Sequence, residues 1–337
     1  MSVFVKGQTH SAVHSMKAMQ AQRRGEGIRN QFTLSAVHLY AQIVVGLAFF
    51  LYRHVSTPGY MSVLLLLPPL AAGYALSLWC TRQKGWMDRL PGKAASGCLF
   101  LCLMMDAQLS LYAFTEMVRE MLPDYNSAVI ALVTLLCVLP SLQKQHGHAL
   151  PSLARLTKIP LIVGLGYCLV GGALQGNVDH LFPLFGLEGK RILTGSLWML
   201  SALSAAFTPL YMHDGPQTLK QKRKGLFALF GAVGLGAATA FLSACMMPFY
   251  FLARPDTVGS QLLLSLKVNP DLTAWSVMVC LMMLLMLTSL ACALSRGRHL
   301  LSHVVGKPVN AWFALLLVPL PSVRSTRATL RCFMPSV

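Results

Sequence analysis

The chain has 337 residues, of which 55% are hydrophobic and only 12% are charged, and its mean hydropathy is +0.58. Because a soluble domain usually carries about 25% charged residues, this composition excludes an ordinary soluble protein and predicts a polytopic membrane protein. The net charge of +17 would favour nucleic acid as a partner if the basic residues formed one surface, but they are segregated by loop, so we expect no nucleic acid.

Hydrophobic runs close to the ~20 residues needed to cross a bilayer recur along almost the whole chain. We therefore expect an all-α polytopic membrane protein with about nine transmembrane helices. The ninth run is short and contains Pro319 and Pro321, so it either crosses the membrane or re-enters the face it came from. The predicted spans cover residues 32–52, 59–80, 95–118, 126–143, 158–175, 192–212, 225–252, 272–295 and 309–323.

The distribution of charge predicts three segments and an orientation. Residues 1–30 form a basic tail, 31–323 an integral membrane, permease-like domain, and 324–337 a short basic C-terminal tail. The N-terminal tail and alternate loops carry most of the 28 basic residues, including the groups at 220–224 and 296–298. Under the positive-inside rule these loops and the N-terminus are cytoplasmic.

No motif of an enzyme or of a metal site is found in the sequence. The nine cysteines lie in or beside apolar runs without a C-x-x-C pair, which favours a packing role. His299 and His303 have i, i+4 spacing, but no nearby carboxylate or cysteine completes a metal site. A G-x-S-x-G elbow and a P-loop are both absent. We therefore expect no catalytic residue, no metal, no cofactor and no enzymatic activity.

Asp106 is the main candidate for a functional residue, because it lies near the middle of the third predicted span. An ionisable group at the bilayer centre costs ~2.5–3.5 kcal/mol unless it is paired or faces a cavity. Asp106 and Ser110 are four residues apart and share a helix face, and Gln108 and Tyr112 share a neighbouring one. Two interpretations remain open: these residues line a path for a ligand or ion, or they join helices by hydrogen bonds.

The first span presents a second polar stripe, formed by His38, Gln42 and Gly46 at intervals of four residues. Gly46 would allow the backbone to open or a partner helix to approach closely. Broken helices of this kind expose backbone groups to substrate in many transporters. A small-residue packing contact explains the same stripe.

The sixth span contains small and hydroxyl-bearing residues in its first half, at Thr194, Gly195 and Ser196, and further on at Ser204, before Pro209. A ligand would meet hydroxyls and backbone amides there. Serine-rich helix packing accounts for the same residues.

The run from Gly147 to Leu200 resembles the middle of the spore germination permease family, the B subunits of germinant receptors. That family has a G-x-E-x-x-A-R element at the start of span 5, an N-x-x-x-x-x-P-x-x-G element after it, and I-L-x-G at the start of span 6. The acidic residue of the first element is missing here, where Ala149 and Leu150 stand. The matching residues are Gly147, Ala154, Arg155, Asn177, Pro183, Gly186, Ile192, Leu193 and Gly195.

This resemblance implies a fold and a ligand site. The family is similar to amino acid–polyamine–cation transporters, which have two inverted repeats of five helices, with spans 1 and 6 broken around the ligand. Here the last helix is short or missing, and the corresponding soft points are Gly46 and 194–196. These soft points coincide with the candidates drawn from the polar stripes, so the expected ligand-binding residues are Gln42, Gly46, Asp106, Gln108, Tyr112, Thr194, Gly195 and Ser196.

The resemblance also implies a function: a membrane subunit of a germinant receptor that binds a small nutrient, in particular an amino acid, and signals germination. Its partners would be the other receptor subunits and the lipid bilayer, in the cell membrane or the spore inner membrane. The alternative is an ion- or proton-coupled secondary transporter of amino acids or similar small solutes, with Asp106 as the ion site.

Overall fold

The computed structural model describes residues 31–47, 60–83, 86, 89–142, 158–159, 162–163, 166, 199–211, 219–246 and 272–310. Within these ranges the regular structure is helical and no strand occurs. A 3₁₀ turn at Tyr60–Leu66 precedes α2, and a longer one at Met199–Tyr211 is named here the 3₁₀ segment. The principal helices are α1 (31–46), α2 (Leu67–Arg82), α3 (Leu90–Met121), α4 (Ser127–Leu142), α5 (Leu219–Met246) and α6 (Leu272–Val305).

Four helical stretches in the described ranges are long and apolar enough to cross a membrane, and α4 adds a shorter apolar helix. The expected all-α polytopic membrane class is therefore confirmed. Both predicted tails, most of the fifth span and the ninth run beyond Asn310 lie outside the described residues. The four stretches are Val63–Arg82, Pro91–Met121, Leu219–Phe241 and Ser276–Val305.

α1 lies at the centre of the described bundle. Every residue from Val37 to Leu47 is buried, and a helix that is buried on all its faces is enclosed by other helices. The outer helices differ: Leu101 of α3, Leu132 of α4 and Phe227 of α5 are 62%, 49% and 72% exposed. Large apolar side chains on an outer surface are what contact with lipid tails requires.

Four elements, namely α1, α3, α6 and the 3₁₀ segment, meet around one axis. α6 packs along α3, and the 3₁₀ segment packs against α2 and also contacts α3 and α6. Hydrogen bonds from α1 reach α3, α6 and the 3₁₀ segment. The polar side chains of these four elements consequently face a common interior.

α6 is longer than the sequence predicts. It continues past the predicted end at 295 to Val305 and stops where Gly306 adopts a left-handed conformation with φ 71°, a usual helix ending. The prediction that Arg296 lies in a cytoplasmic loop is wrong, because Arg296 lies within the helix and is only 5% exposed. Hydropathy marks where apolar side chains end, whereas arginine is a good helix former and prolongs the backbone ladder.

α5 shows the same difference at its other end. It begins at Leu219, before the predicted start at 225, so the basic residues from Lys220 to Lys224 lie in the first turns of a helix. Lys220, Arg223 and Lys224 are exposed. Their positions on the helix keep the positive charge outside the apolar bundle.

Candidate functional site

Six polar residues form a buried cluster in the interior of the bundle, which we call the central cluster. All six are at most 4% exposed. They come from four elements, and within α1 and α3 they are spaced by four residues, which places them on one face of each helix. The members are His38 and Gln42 of α1, Asp106 and Ser110 of α3, Ser204 of the 3₁₀ segment and Ser289 of α6.

His38 connects all four elements, since its Nε2 also lies 3.5 Å from Ser204 Oγ of the 3₁₀ segment. Its Nδ1 lies 2.9 Å from Ser289 Oγ, and its Nε2 lies 3.3 Å from Asp106 Oδ2. The hydroxyl of Ser204 donates to the same carboxylate oxygen at 2.8 Å. The imidazole therefore sits between the carboxylate of α3 and the hydroxyl of α6.

Gln42 extends the cluster by one turn of α1. Its Nε2 lies 2.9 Å from Ser110 Oγ, 3.0 Å from Ser289 Oγ and 3.3 Å from the backbone oxygen of Asp106. Ser110 and Ser289 are themselves in contact, with 3.0 Å between their Oγ atoms. Because each contact joins different elements, this part of the cluster holds α1, α3 and α6 together.

Only one of the two carboxylate oxygens of Asp106 is hydrogen-bonded. Oδ2 accepts hydrogen bonds from two side chains, whereas Oδ1 is buried and has no hydrogen-bond partner in the described part of the chain. A buried carboxylate oxygen without a donor carries a desolvation cost, and such groups are rare in folded proteins. Oδ1 is thus the place in the cluster with capacity for a further positively charged or donating group.

A second polar group lies one turn away along α1. Thr208 donates to Ser35 Oγ at 2.6 Å, and Nη2 of Arg296 also donates to Ser35. From Ser35 to Gln42 the α1 stripe spans seven residues, about 10 Å at the rise of an α-helix. Together the two groups form a polar column along the axis of an otherwise apolar bundle.

The charged groups of the column are close enough to influence one another. Asp106 and Arg296 both act electrostatically on Cys292 of α6, and Asp106 also acts on Cys102 of α3. Opposite charges inside a membrane protein stabilise each other much more strongly than they would in water. Asp106 and Arg296 therefore both lie near Cys292, in the same part of the column.

The structure brings together some of the predicted site residues. Asp106 and Gln42 belong to the central cluster, with the backbone oxygen of the first bound by the amide of the second. Gln108 and Tyr112 are half-buried and lie on a different face of α3, since residues two apart point about 200° apart. Gly46 is buried, and α1 is still helical at that residue. Thr194, Gly195 and Ser196 lie outside the described residues.

Several participants were not recognised as site residues in the sequence, namely Ser35, Thr208, Ser289 and Arg296. Ser289 is a single hydroxyl in a long apolar run, and such a serine is no different from a packing residue until its neighbours are known. Arg296 was missed because the predicted span ends at 295, before this residue. The one available signal was the spacing of seven residues between Ser289 and Arg296, which places both on the same face of α6.

No group of three or more His, Cys, Asp or Glu side chains that could hold a metal ion occurs among the described residues. What the column offers is one carboxylate, one imidazole, one guanidinium, an amide and several hydroxyls. These groups recognise charge and hydrogen-bonding capacity, which suits protons, cations and small polar solutes.

Comparison with known proteins shows a likeness in fold. The structure resembles a manganese transporter from Eremococcus coleocola, solved in complex with an aromatic bis-isothiourea substituted compound, with a TM-score of 0.53 and 12% sequence identity. The match covers 91% of this chain and 73% of the transporter. No protein-family model matches the chain, and no curated protein matches its sequence. The fold thus defines a helical membrane protein of a transporter-like class.

Proposed function

We propose that the chain is a secondary transporter that binds a small polar solute in the polar column and couples its movement to a cation at Asp106. The observation that carries this proposal is the carboxylate of Asp106, which is fully buried where four elements meet and leaves one oxygen without a partner. An ionisable residue at membrane depth is costly and is a functional candidate by default. A purely structural carboxylate would be expected to have both oxygens satisfied.

The arrangement of donors indicates how such a site would work. A cation or an ammonium group at Asp106 would neutralise the carboxylate, while Gln42 and Ser110 would offer neutral hydrogen bonds to the rest of a solute. All these groups are buried, so access requires the surrounding elements to separate. Because α1 contacts every other element of the site, a shift of α1 would open one side while the other stays closed.

The chemistry of the column favours an organic solute. The solved neighbour is a manganese transporter, but the described residues of this chain hold no cluster of metal-ligating side chains. A carboxylate and a guanidinium in one column, at Asp106 and Arg296, suit a molecule with both an ammonium and an acidic group. An amino acid is therefore the solute class that we propose.

A second candidate function is that of a germinant-receptor subunit, which the resemblance at 147–200 supports. In that case the same site would sense the amino acid, and binding would shift the population between two states of the bundle. The change would reach the other receptor subunits through the basic turns of α5, at 220–224, in the cell membrane or the spore inner membrane.

Reconstitution of the full chain into lipid vesicles tests the first candidate. We expect the vesicles to accumulate at least one radiolabelled member of a panel of the twenty amino acids. Asp106→Asn should reduce this uptake by about tenfold or more, because a hydrogen bond to a charged group contributes about 1.5–3 kcal/mol. Asp124→Asn is the matched control, since Asp124 is an exposed acid in the turn between α3 and α4.

The outcomes separate the two candidates. Binding of an amino acid, seen as a thermal shift of the solubilised chain, without accumulation in vesicles would contradict transport and support the receptor. If neither binding nor uptake occurred with any of the twenty, both functions would be wrong for amino acids. Equal loss of uptake in Asp106→Asn and Asp124→Asn would show that Asp106 has no special role.

A further inference from the structure

We propose that the cation carried by the central cluster is a proton and that it binds at Oδ1 of Asp106. The inference rests on the proposed function only in calling this ion the coupling ion. The binding of the proton is a property of the cluster alone and can be measured without any solute. It follows from the directions of the hydrogen bonds around Asp106.

Those directions can be assigned from the partners. With Asp106 ionised, Oδ2 needs donors, so Nε2 of His38 carries the ring proton and donates to it at 3.3 Å. Nδ1 is then an acceptor and receives the hydroxyl proton of Ser289 at 2.9 Å. Having donated to the imidazole, Ser289 can only accept from its other two neighbours, Gln42 and Ser110.

The rest of the cluster is consistent with this pattern. The amide of Gln42 donates to Ser110 Oγ, and the hydroxyl of Ser110 donates to Ser289 Oγ. A directed chain therefore runs from Gln42 through both serines and the imidazole to Oδ2. Each donor along the chain has an acceptor, and Oδ1 is the one buried carboxylate oxygen of the described residues that has no donor.

A proton can be added at Oδ1 without disturbing this chain. The step converts the carboxylate and one proton into a neutral carboxylic acid, while Oδ2 continues to accept from His38 and Ser204. Protonation of the imidazole at Nδ1 would instead place two donors face to face, so the hydroxyl of Ser289 would have to turn away. Asp106 is therefore the proton-binding residue, and His38 is a positioning residue that supports the ionised form.

A metal cation fits the same place less well. Calcium takes six to eight oxygen ligands and magnesium a nearly ideal octahedral shell. Both lone pairs of Ser289 are already used by Gln42 and Ser110, and Oδ2 of Asp106 is used by two donors. A proton needs only the one oxygen that remains.

Titratable and charged groups approach Asp106 from each neighbouring element. α1 supplies His38, α3 supplies Cys102 one turn away on the same helix, and α6 supplies Cys292 and Arg296. The 3₁₀ segment contributes the hydroxyl of Ser204 and no titratable side chain between 203 and 210. Proton binding removes the negative charge that holds His38 and Ser204 to α3, so it weakens contacts among the elements that must separate.

Infrared spectroscopy of the solubilised full chain tests the proposal directly. As the pH is lowered, we expect a carboxylic-acid C=O band that shifts in heavy water and that Asp106→Asn abolishes. At one fixed pH, His38→Leu should give a stronger band than the unaltered chain, because the ionised form loses a donor. His38→Gln, which keeps an N–H donor, should restore the original intensity, and Tyr40→Phe, a buried control on the same helix outside the cluster, should leave it unchanged.

Three results would overturn the inference. The first is an acid band that Asp106→Asn leaves intact, and the second is a band intensity that does not respond to His38→Leu. The third is loss of the acid band when sodium or manganese chloride is added at constant pH. The vesicle measurements distinguish this failure from that of the proposed function. Uptake driven by a sodium gradient, without the acid band, would support transport and refute proton binding at Asp106. The acid band without any uptake would support proton binding and refute transport.

Discussion

Ser289 shows how one hydroxyl can join three helices inside a membrane. It donates to His38 and accepts from Gln42 and Ser110, and therefore connects α6 to α1 and α3. In an apolar medium a lost partner is not replaced by water, so the groups left behind stay unsatisfied. The stability of this junction depends on a residue that hydropathy does not distinguish from its neighbours.

Ser289→Ala should lower the free energy of unfolding by about 1–3 kcal/mol, since it leaves Nδ1 of His38 without its donor and the hydroxyl of Ser110 without its acceptor. Thermal unfolding in detergent, followed by tryptophan fluorescence, measures the change. Thr288→Val is the control, because among the described residues the hydroxyl of Thr288 bonds only along its own helix, to the backbone oxygen of Leu284. An equally large loss of unfolding free energy in Thr288→Val would mean that the hydrogen bonds of Ser289 contribute nothing specific to stability.

Individual site residues differed in how far the sequence revealed them. Asp106 was recognisable because it is an acid in the middle of an apolar run, and Gln42 and His38 because four-residue spacing gave α1 a polar stripe. Which of the two interpretations of Asp106 applies could not follow from spacing alone. The state of its carboxylate, one satisfied and one unsatisfied oxygen, depends on side chains 68 and 98 residues away in the chain.

α1 and α5 approach each other closely at one glycine. A Cβ atom at Gly236 would lie 2.6 Å from Cγ2 and 3.3 Å from Cβ of Ile43, and Ile43 is fully buried. A β-branched side chain near its own backbone cannot move aside easily. Gly231, Gly234 and Gly236 lie close together in α5, and Gly236 is the packing residue among them. A Cβ atom at Gly231 or Gly234 would meet no described atom within 4 Å.

This difference provides a matched pair of substitutions. Gly236→Ala should destabilise the protein by about 1–3 kcal/mol through overpacking. Gly234→Ala adds the same methyl group to the same helix in open space, and should be neutral or stabilise by up to about 1 kcal/mol through helix propensity. Unfolding midpoints of the two variants in one detergent test this, and equal midpoints would refute a close contact between α1 and α5.

The helices as elements were more predictable than their ends. The predicted spans at 95–118 and 126–143 correspond to α3 and α4, because apolar runs of this length have few alternatives in a bilayer. The 3₁₀ geometry at Met199–Tyr211 and the extension of α6 through Arg296 were not foreseen. Both depend on tertiary contacts: the 3₁₀ segment lies against α2, and Arg296 donates to Ser35 of α1.

For the whole molecule, the orientation in the membrane remains a prediction with structural support. The start of α1 follows a basic segment, and the last turns of α6 precede another. The contact between Ser35 and Arg296 shows that these two helix ends are adjacent. Two segments that the positive-inside rule assigns to the same compartment thus lie on the same side of the bundle. Hydropathy and charge could predict the class, and the orientation that they give stays a prediction, but they could not show which helices enclose α1.

Reporter fusions test this orientation. A fluorescent protein that folds only in the cytoplasm should be bright when fused after Lys307, and alkaline phosphatase, active only outside, should be active when fused after Asp124 in the turn between α3 and α4. Each reporter placed at the other position serves as the control and should be inactive. The opposite pattern would invert the topology.

The enclosure of α1 has a consequence for how the protein is made. α1 is the first described helix to be synthesised, yet its His38 meets Ser289 only after another 251 residues of chain. At about 5–20 residues per second this takes roughly 10–50 s, during which Nδ1 of His38 lacks its native partner in the bilayer. A nascent α1 must therefore be sheltered, by the insertion machinery or by transient contacts with α3, until α6 arrives.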